Sequence, residues 1–553
     1  MRHLRRVGGW LDTQGMARRL SALRMVPAAN PGGSAALAAL ILAGGVLPVA
    51  FAVGIGHLTS TAVHAKRVGQ LLPELVWVGG AFLLQQAVGP VQVALSNVMG
   101  RDLDLLARSR VLAAVGAPVG IADLEDPEVL DKIKVAQGLS VWSASPYRAV
   151  TGFAALATAR LTAIGALMVV GSFRWWLPLV MVAAQLISLR EKHRSLSNLV
   201  TVITGGAGDL RHADYVQELS LQREAAKEAR VFGWQGWAID RYLTVWNRAM
   251  SPVWRARRQG SPRLHAAMLA ATATTLVGVY LAVQAAVSGA LPIGRLVTVL
   301  SAIAQAAMIG FILGNPEIDL EQGSVAIPAV LELEARLGDN GGQVVSLRHP
   351  APAAAPSTPE DLPKREIRFD GVVFRYPNGA RPVLDGLDLV IPAGSSTAIV
   401  GENGAGKTTI VKLLGRLYDP GQGRILVDGT DLAELDPGTW RAGMAAIFQD
   451  FVRYPFSAAD NVGFGALRRL GDRSALDRAA ARSGLSNELA GWEAGWSTLL
   501  SREFDGGIDL SGGQWQRVAL ARALFAVEAG ARTLILDEPT AQLEALGRRS
   551  RQR

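Results

Sequence analysis

The chain has 553 residues, too many for one ordinary domain, and half of them are hydrophobic. It contains no cysteine, so disulfides, cysteine-ligated iron–sulfur clusters and thiol catalysis are excluded. The net charge of +9 is carried mainly by arginine, and it reads as the cytoplasmic flank of a membrane protein rather than as a nucleic-acid surface.

The apolar residues are concentrated before residue 315. Residues 1–33 form a basic N-terminal segment, and residues 34–337 read as a transmembrane domain. Six runs are predicted as spans, at 34–56, 74–98, 150–171, 175–189, 264–288 and 292–314, most of them near the ~20 residues that a bilayer core requires. Arg2, Arg5, Arg6, Arg18, Arg19 and Arg24 precede the first run, which predicts a cytoplasmic N-terminus. The long charged segments 99–149 and 190–263 then fall on the same side. Within the first of them, Asp126 is placed to cap a helix that Pro127 opens. Trp175 and Trp176, beside Arg174, suit an outer interface. Arg160 either marks a polar cavity or sits at the inner interface. We read it as interfacial, because the third run can be shifted toward Arg174.

Residues 338–364 are rich in Gly, Pro and Ala and read as an exposed linker. From 365 the composition is that of a soluble α/β domain. Ile367 to Pro377 alternates as a strand does and carries Tyr376 near its end. Thr397 to Val400 is a short strand-like run, followed by Gly401-Glu402-Asn403-Gly404-Ala405-Gly406-Lys407-Thr408 and then by a helix-like stretch from Thr409. That run fits GxxxxGK[ST]. Its glycines let the backbone approach phosphates, its amides form an anion nest at a helix start, Lys407 supplies a point charge, and the Thr408 hydroxyl suits Mg²⁺. Gln449 follows another apolar run. Thr533 to Leu536 is a buried strand ending in two carboxylates, Asp537 and Glu538. Between them lies Leu510-Ser511-Gly512-Gly513-Gln514.

The phosphate loop, the LSGGQ run and the two-carboxylate strand together resemble the ABC transporters, and the order of parts resembles an exporter half-transporter. The resemblance implies an α-helical six-span membrane bundle followed by an α/β P-loop nucleotide-binding domain over 365–553. It implies ATP and Mg²⁺. Residues 401–409, Thr409 included, would contact the nucleotide, and Tyr376 would stack on adenine. Thr408, Gln449 and Asp537 would serve the metal, and Glu538 would be the general base, with Gln449 beside the attacking water. Ser511, Gly512, Gly513 and Gln514 would complete the site of a second subunit, so the chain is expected to pair with itself or with a related chain. The segments around Asp126 and around Ala225 to Gly233 lie where the family has its coupling helices.

The resemblance stops near the end. Glu544 stands where the family has Asp, and all seven histidines lie at or before His349, so a switch histidine is lacking. The Arg-rich close at Leu546 to Arg553 reads as a C-terminal truncation. The resulting expectation is a multi-pass protein of the cell membrane, in contact with its lipids. Both termini and the ATP-binding domain would be cytoplasmic, and ATP hydrolysis would drive a small-molecule, lipid or peptide substrate across. Two alternatives stay open: a non-catalytic partner subunit of a heterodimer, and an inactive truncated product. A soluble ABC ATPase is disfavoured by the fused apolar runs.

Overall fold

The computed structural model describes residues 13–138, 145–205, 207–222, 225–259, 262–308, 316–338, 362–377 and 379–537. By internal packing the chain divides into two units, Met1–Arg108 with Lys134–Leu331, and Ser109–Ile133 with Glu332–Arg553. The expected linker lies almost wholly outside the described residues.

The elements before residue 339 are helical: α1 (Thr13–Ala29), α2 (Pro31–His64), α3 (Leu72–Gly116), α4 (Pro127–Ala136), α5 (Tyr147–Phe173), α6 (Leu177–Gly205), α7 (Ala207–Leu221), α8 (Ala226–Phe232), α9 (Gln235–Gln259), α10 (Pro262–Val287), α11 (Ile293–Ala307) and α12 (Pro316–Gly338). Asn30 starts α2. Its side-chain oxygen accepts from the Gly33 amide at 2.9 Å, and Pro31 follows where no amide is needed. The expected runs at 34–56, 74–98 and 150–171 lie within α2, α3 and α5, and the runs at 175–189 and 264–288 lie in α6 and α10 apart from one or two end residues. Among the described residues four helices are long and apolar enough to cross a membrane: α2, α3, α5 and α10. The run at 175–189 opens α6, whose next residues are Arg190, Glu191 and Lys192. The run at 292–314 is described only as the 15-residue α11 and Met308. At 45 residues, α3 extends over about 68 Å, more than twice a hydrocarbon core.

Close approach in this unit depends on glycine. A Cβ on Gly56 of α2 would lie 1.8 Å from Thr298 Oγ1 and 2.6 Å from the Gly294 carbonyl. A Cβ on Gly294 of α11 would lie 2.2 Å from the Gly56 carbonyl. Small residues let helix backbones touch in this way in membrane bundles. The N-terminal α1 is tied to α12 by Arg18 and Arg19, which share Glu321 at 2.8 and 2.6 Å.

In the second unit, β1 (Glu366–Phe374), β2 (Leu384–Pro392), β3 (Gln422–Val427) and β4 (Thr430–Asp431) form an antiparallel sheet in the order β2-β1-β3-β4. The alternation in β1 sends Ile367, Phe369, Val372 and Phe374 inward, with a register shift around Gly371. Helices α13 (Lys407–Leu414) and α14 (Pro437–Ala442) belong to the same core, through Ile410, Leu413, Leu414 and Trp440. A second core packs β5 (Met444–Ile447) against α15 (Ala458–Gly463), α16 (Arg473–Ser483), α17 (Ser486–Ala490) and α18 (Gly512–Glu528). Strand β6 (Thr533–Leu536) pairs parallel with β5 but is not the buried strand expected: only Leu536 packs on that core, and Leu534 is 40% exposed.

One expectation fails here. The run Thr397 to Val400 is not a strand. A strand requires a ladder partner, and no described strand runs beside it. Among the described residues the segment has no ladder partner, and Val400 is 89% exposed.

Candidate functional site: the phosphate loop and its surroundings

The phosphate loop is an exposed turn over 401–405 that enters α13. Gly404 and Gly406 have φ of +86° and +89°, conformations that cost a side chain about 1–2 kcal/mol. A Cβ on Gly406 would also lie 2.8 Å from Leu384 Cδ2 and 3.1 Å from Val383 Cγ1, so those side chains would have to shift. Lys407 Nζ donates to the carbonyls of Gly401 and Glu402 at 2.9 and 2.8 Å, so the ammonium lies across the loop itself. Glu402, Asn403 and Ala405 form the exposed turn beneath it. Amides at the start of a helix, one fixed cation and an open face suit a polyphosphate.

Two residues expected at the metal are brought together. Thr408 Oγ1 donates to Asp537 Oδ2 at 2.8 Å, across 129 residues of sequence. Asp537 is 9% exposed and directly follows β6. Its amide donates to the Ile447 carbonyl at 2.9 Å, which continues the parallel pairing of β5 and β6. Gln449 is exposed and lies two residues beyond Ile447, so Gln449 and Asp537 leave the carboxyl ends of adjacent parallel strands. That is where ligands sit in open α/β sheets. Glu538 lies outside the described residues.

Tyr376 follows β1 beside the phosphate helix. Its hydroxyl is 3.1 Å from Thr409 Oγ1, and Thr409 is buried. Its ring meets Phe374 and Tyr418 edge to face, with centroids at 5.0 and 5.3 Å, and Lys412 Nζ stands 5.2 Å from the ring centre. The sequence did not single out Tyr418, although it is buried and its hydroxyl donates to the Glu125 carboxylate. Burial, reinforced by that bond, pushes the phenol above its ordinary range. The Ile121 amide donates to the Leu417 carbonyl at 2.9 Å. Arg441 donates to the carbonyls of Gly415, Arg416 and Val119. The segment 119–125 is thus bonded to the end of the phosphate helix. Beyond it, Asp126 and Pro127 start α4 as expected, with Asp126 Oδ1 accepting from the Glu128 amide at 2.9 Å.

The LSGGQ run starts α18 with a reciprocal cap. Ser511 Oγ accepts from the Gln514 amide at 3.3 Å, and Gln514 Oε1 accepts from the Ser511 amide at 2.8 Å. Gln514 Nε2 donates to Glu488 at 2.6 Å, and Arg517 donates to the other oxygen of the same carboxylate. Among the described contacts, none joins residues 511–514 to the phosphate loop. Glu488 was likewise missed, since nothing in the sequence links it to a motif 26 residues away.

The oxygen donors of Thr408 and Asp537 suit Mg²⁺, a hard cation that prefers carboxylate, hydroxyl and phosphate oxygens. Among the described residues there is no group of three or more His, Cys, Asp or Glu side chains able to hold a metal. Phosphate oxygens would therefore have to supply much of its coordination.

Comparison with known proteins agrees with this geometry. Residues 384–541 match the family model described as "ABC transporter". The chain is similar to the subtilin transport ATP-binding protein SpaT of Bacillus subtilis, with 25% identity over 77% of this chain and 67% of that protein. It is similar to an ATP-dependent lipid A-core flippase of Cupriavidus pinatubonensis, with 39% identity over 33% of this chain and 30% of the relative. It is also similar to the mitochondrial iron-sulfur clusters transporter ATM1 of Yarrowia lipolytica, with 30% identity over 57% and 41% of the two chains. These matches thus span from under one third to about two thirds of the relatives' own lengths.

Proposed function

We propose, on the premise that this chain belongs to the ABC transporters, that it is an exporter-type half-transporter coupling ATP hydrolysis to movement of a substrate across a membrane. The observation that carries the reading is the Thr408–Asp537 bond. It joins the phosphate loop to the carboxylate end of β6 in a chain that also holds four apolar helices of membrane-crossing length. The loop amides and Lys407 bind the β- and γ-phosphates, and Tyr376 stacks on the base. Thr408 and Asp537 would hold Mg²⁺, which would supply neutralisation of the charge on the phosphoryl group. Gln449 orients water at the end of β5, and Glu538, one residue past Asp537, takes its proton. Ser511 and the amides after it face the nucleotide of a second subunit. In keeping with that role, Ser511 bonds with Gln514, whose side chain reaches Glu488, and no described contact joins 511–514 to the loop of their own chain.

Relatives named for a lipid, a peptide and iron–sulfur clusters leave the substrate class open between lipid, peptide and small molecule. A cell-membrane location, with the ATP-binding domain on the cytoplasmic side, is part of the proposal and is supported by the four apolar helices and the arginine-rich N-terminal flank. The test is ATP binding and turnover by the full chain in lipid vesicles. Glu538→Gln should retain binding and lose turnover by about 10²-fold or more, the usual contribution of a general base. A wild-type chain that binds no ATP would overturn the proposal.

A further inference from the structure

We propose that Glu488 is a positioning residue that sets Ser511 as a hydrogen-bond donor toward the nucleotide of the second subunit. The inference rests on the half-transporter reading above and adds to it a residue outside every recognised motif.

A carboxamide has one acceptor end and one donor end, and a carboxylate only accepts. Glu488 therefore takes the NH₂ end of Gln514, at 2.6 Å. The oxygen end is left for the Ser511 amide, at 2.8 Å. The reversed amide would set NH₂ against the Ser511 N–H and oxygen against the carboxylate, two repulsive contacts. With its own amide occupied, Ser511 accepts the Gln514 N–H on Oγ at 3.3 Å. An accepting hydroxyl still carries its own hydrogen, and among the described contacts no acceptor takes it. Glu488 is well placed to impose this order. It belongs to α17, its side chain is only 21% exposed, and Arg517 fixes its second oxygen from the next turn of α18. Neighbouring Leu485 and Leu489 are buried in the core that also holds Trp515 and Val518.

The experiment is amide hydrogen exchange on the full-length protein in detergent, with and without ATP. In Glu488→Ala the Gln514 amide is free to turn, and the Ser511 amide should exchange about five-fold faster, the factor expected for a lost cap of ordinary strength. ATP should slow exchange across 511–514 in the wild type and do so less in the variant. The phosphate-loop amides 401–408 should be protected equally in both. Arg517→Ala leaves the Gln514 contact in place and should resemble the wild type at Ser511. If Glu488→Ala loosens the amides of Val518, Ala521 and Phe525, Glu488→Gln decides instead. A neutral acceptor is weaker than a carboxylate, so exchange at Ser511 should rise by a smaller factor. Equal exchange and equal ATP protection at 511–514 in wild type and variant would overturn the proposal. Absence of ATP protection at 401–408 in the wild type would instead count against the transporter reading.

Discussion

The Lys407 ammonium is held by two carbonyls of its own loop, and both are weaker partners than a phosphate. Lys407→Ala removes the fixed charge of the cradle without disturbing a buried contact. ATP affinity should fall at least ten-fold, as for loss of a charge-assisted bond worth about 1.5–3 kcal/mol, while thermal unfolding stays near the wild-type value. Both are measured by titration with a fluorescent nucleotide and by a melting curve. Tyr376→Phe keeps the ring and loses only the contact with Thr409, so binding should change little. Tyr376→Ala loses the stacking face, worth roughly 1–3 kcal/mol, and should weaken binding accordingly. The sequence singled out both residues, Lys407 as part of the phosphate-loop motif and Tyr376 by its spacing before it. Tyr418 was not. Its place between Tyr376 and Glu125 comes from folding a segment near residue 120 onto the end of a helix near residue 417, and no local pattern encodes such a pairing.

At the scale of elements, helix starts were the most readable features, because their chemistry is local. The Pro127 start of α4 follows from the Asp126-Pro127 pair, and α13 begins at Lys407, two residues before the helix-like stretch read from Thr409, whereas the Ser511 cap of α18 was not read from the sequence. The run at 397–400 misled for the opposite reason: β structure depends on a neighbour that the run itself does not specify. Attachment of 119–125 to the phosphate helix depends on the bare backbone of Gly120, where a Cβ would lie 2.8 Å from the Leu417 carbonyl. Gly120→Val should cost about 1–3 kcal/mol through forced separation, and exchange of the Ile121 amide should quicken while that of β1 does not. The α16–α18 contact carries a pH dependence. Glu528 bonds Arg478 at 2.9 Å and Arg482 at 3.0 Å. The Arg478 hydrogen bond, opposed by desolvation and aided by Arg482, holds its carboxyl below the ordinary value. Such a group stabilises the fold above its unfolded pKa, near 4.3, and the contribution is lost as pH falls through the lower folded value. The denaturant midpoint should therefore drop below about pH 4, and Glu528→Gln should flatten that part of the curve.

For the whole molecule, the arginine bias predicts sidedness. The turn between α2 and α3 would be outside, and the end of α7 inside. The chain has no cysteine, so Val68→Cys, at a site 75% exposed, and Gln222→Cys each give a single label site. An impermeant thiol reagent applied to intact cells should mark the first and spare the second, and the reverse pattern would invert the topology. Hydropathy made the helices of the first unit legible, but not which of them touch. The contact of α2 with α11 at Gly56 and Gly294 brings carbonyl and Cα within reach of each other from both sides. Trimming Thr298 or Ser60 would not make room at either glycine, because the obstacle is main chain. The contact acts as a stop: the two helices can slide or part there, but no change of shape in the bundle can press α2 closer to α11 at that level.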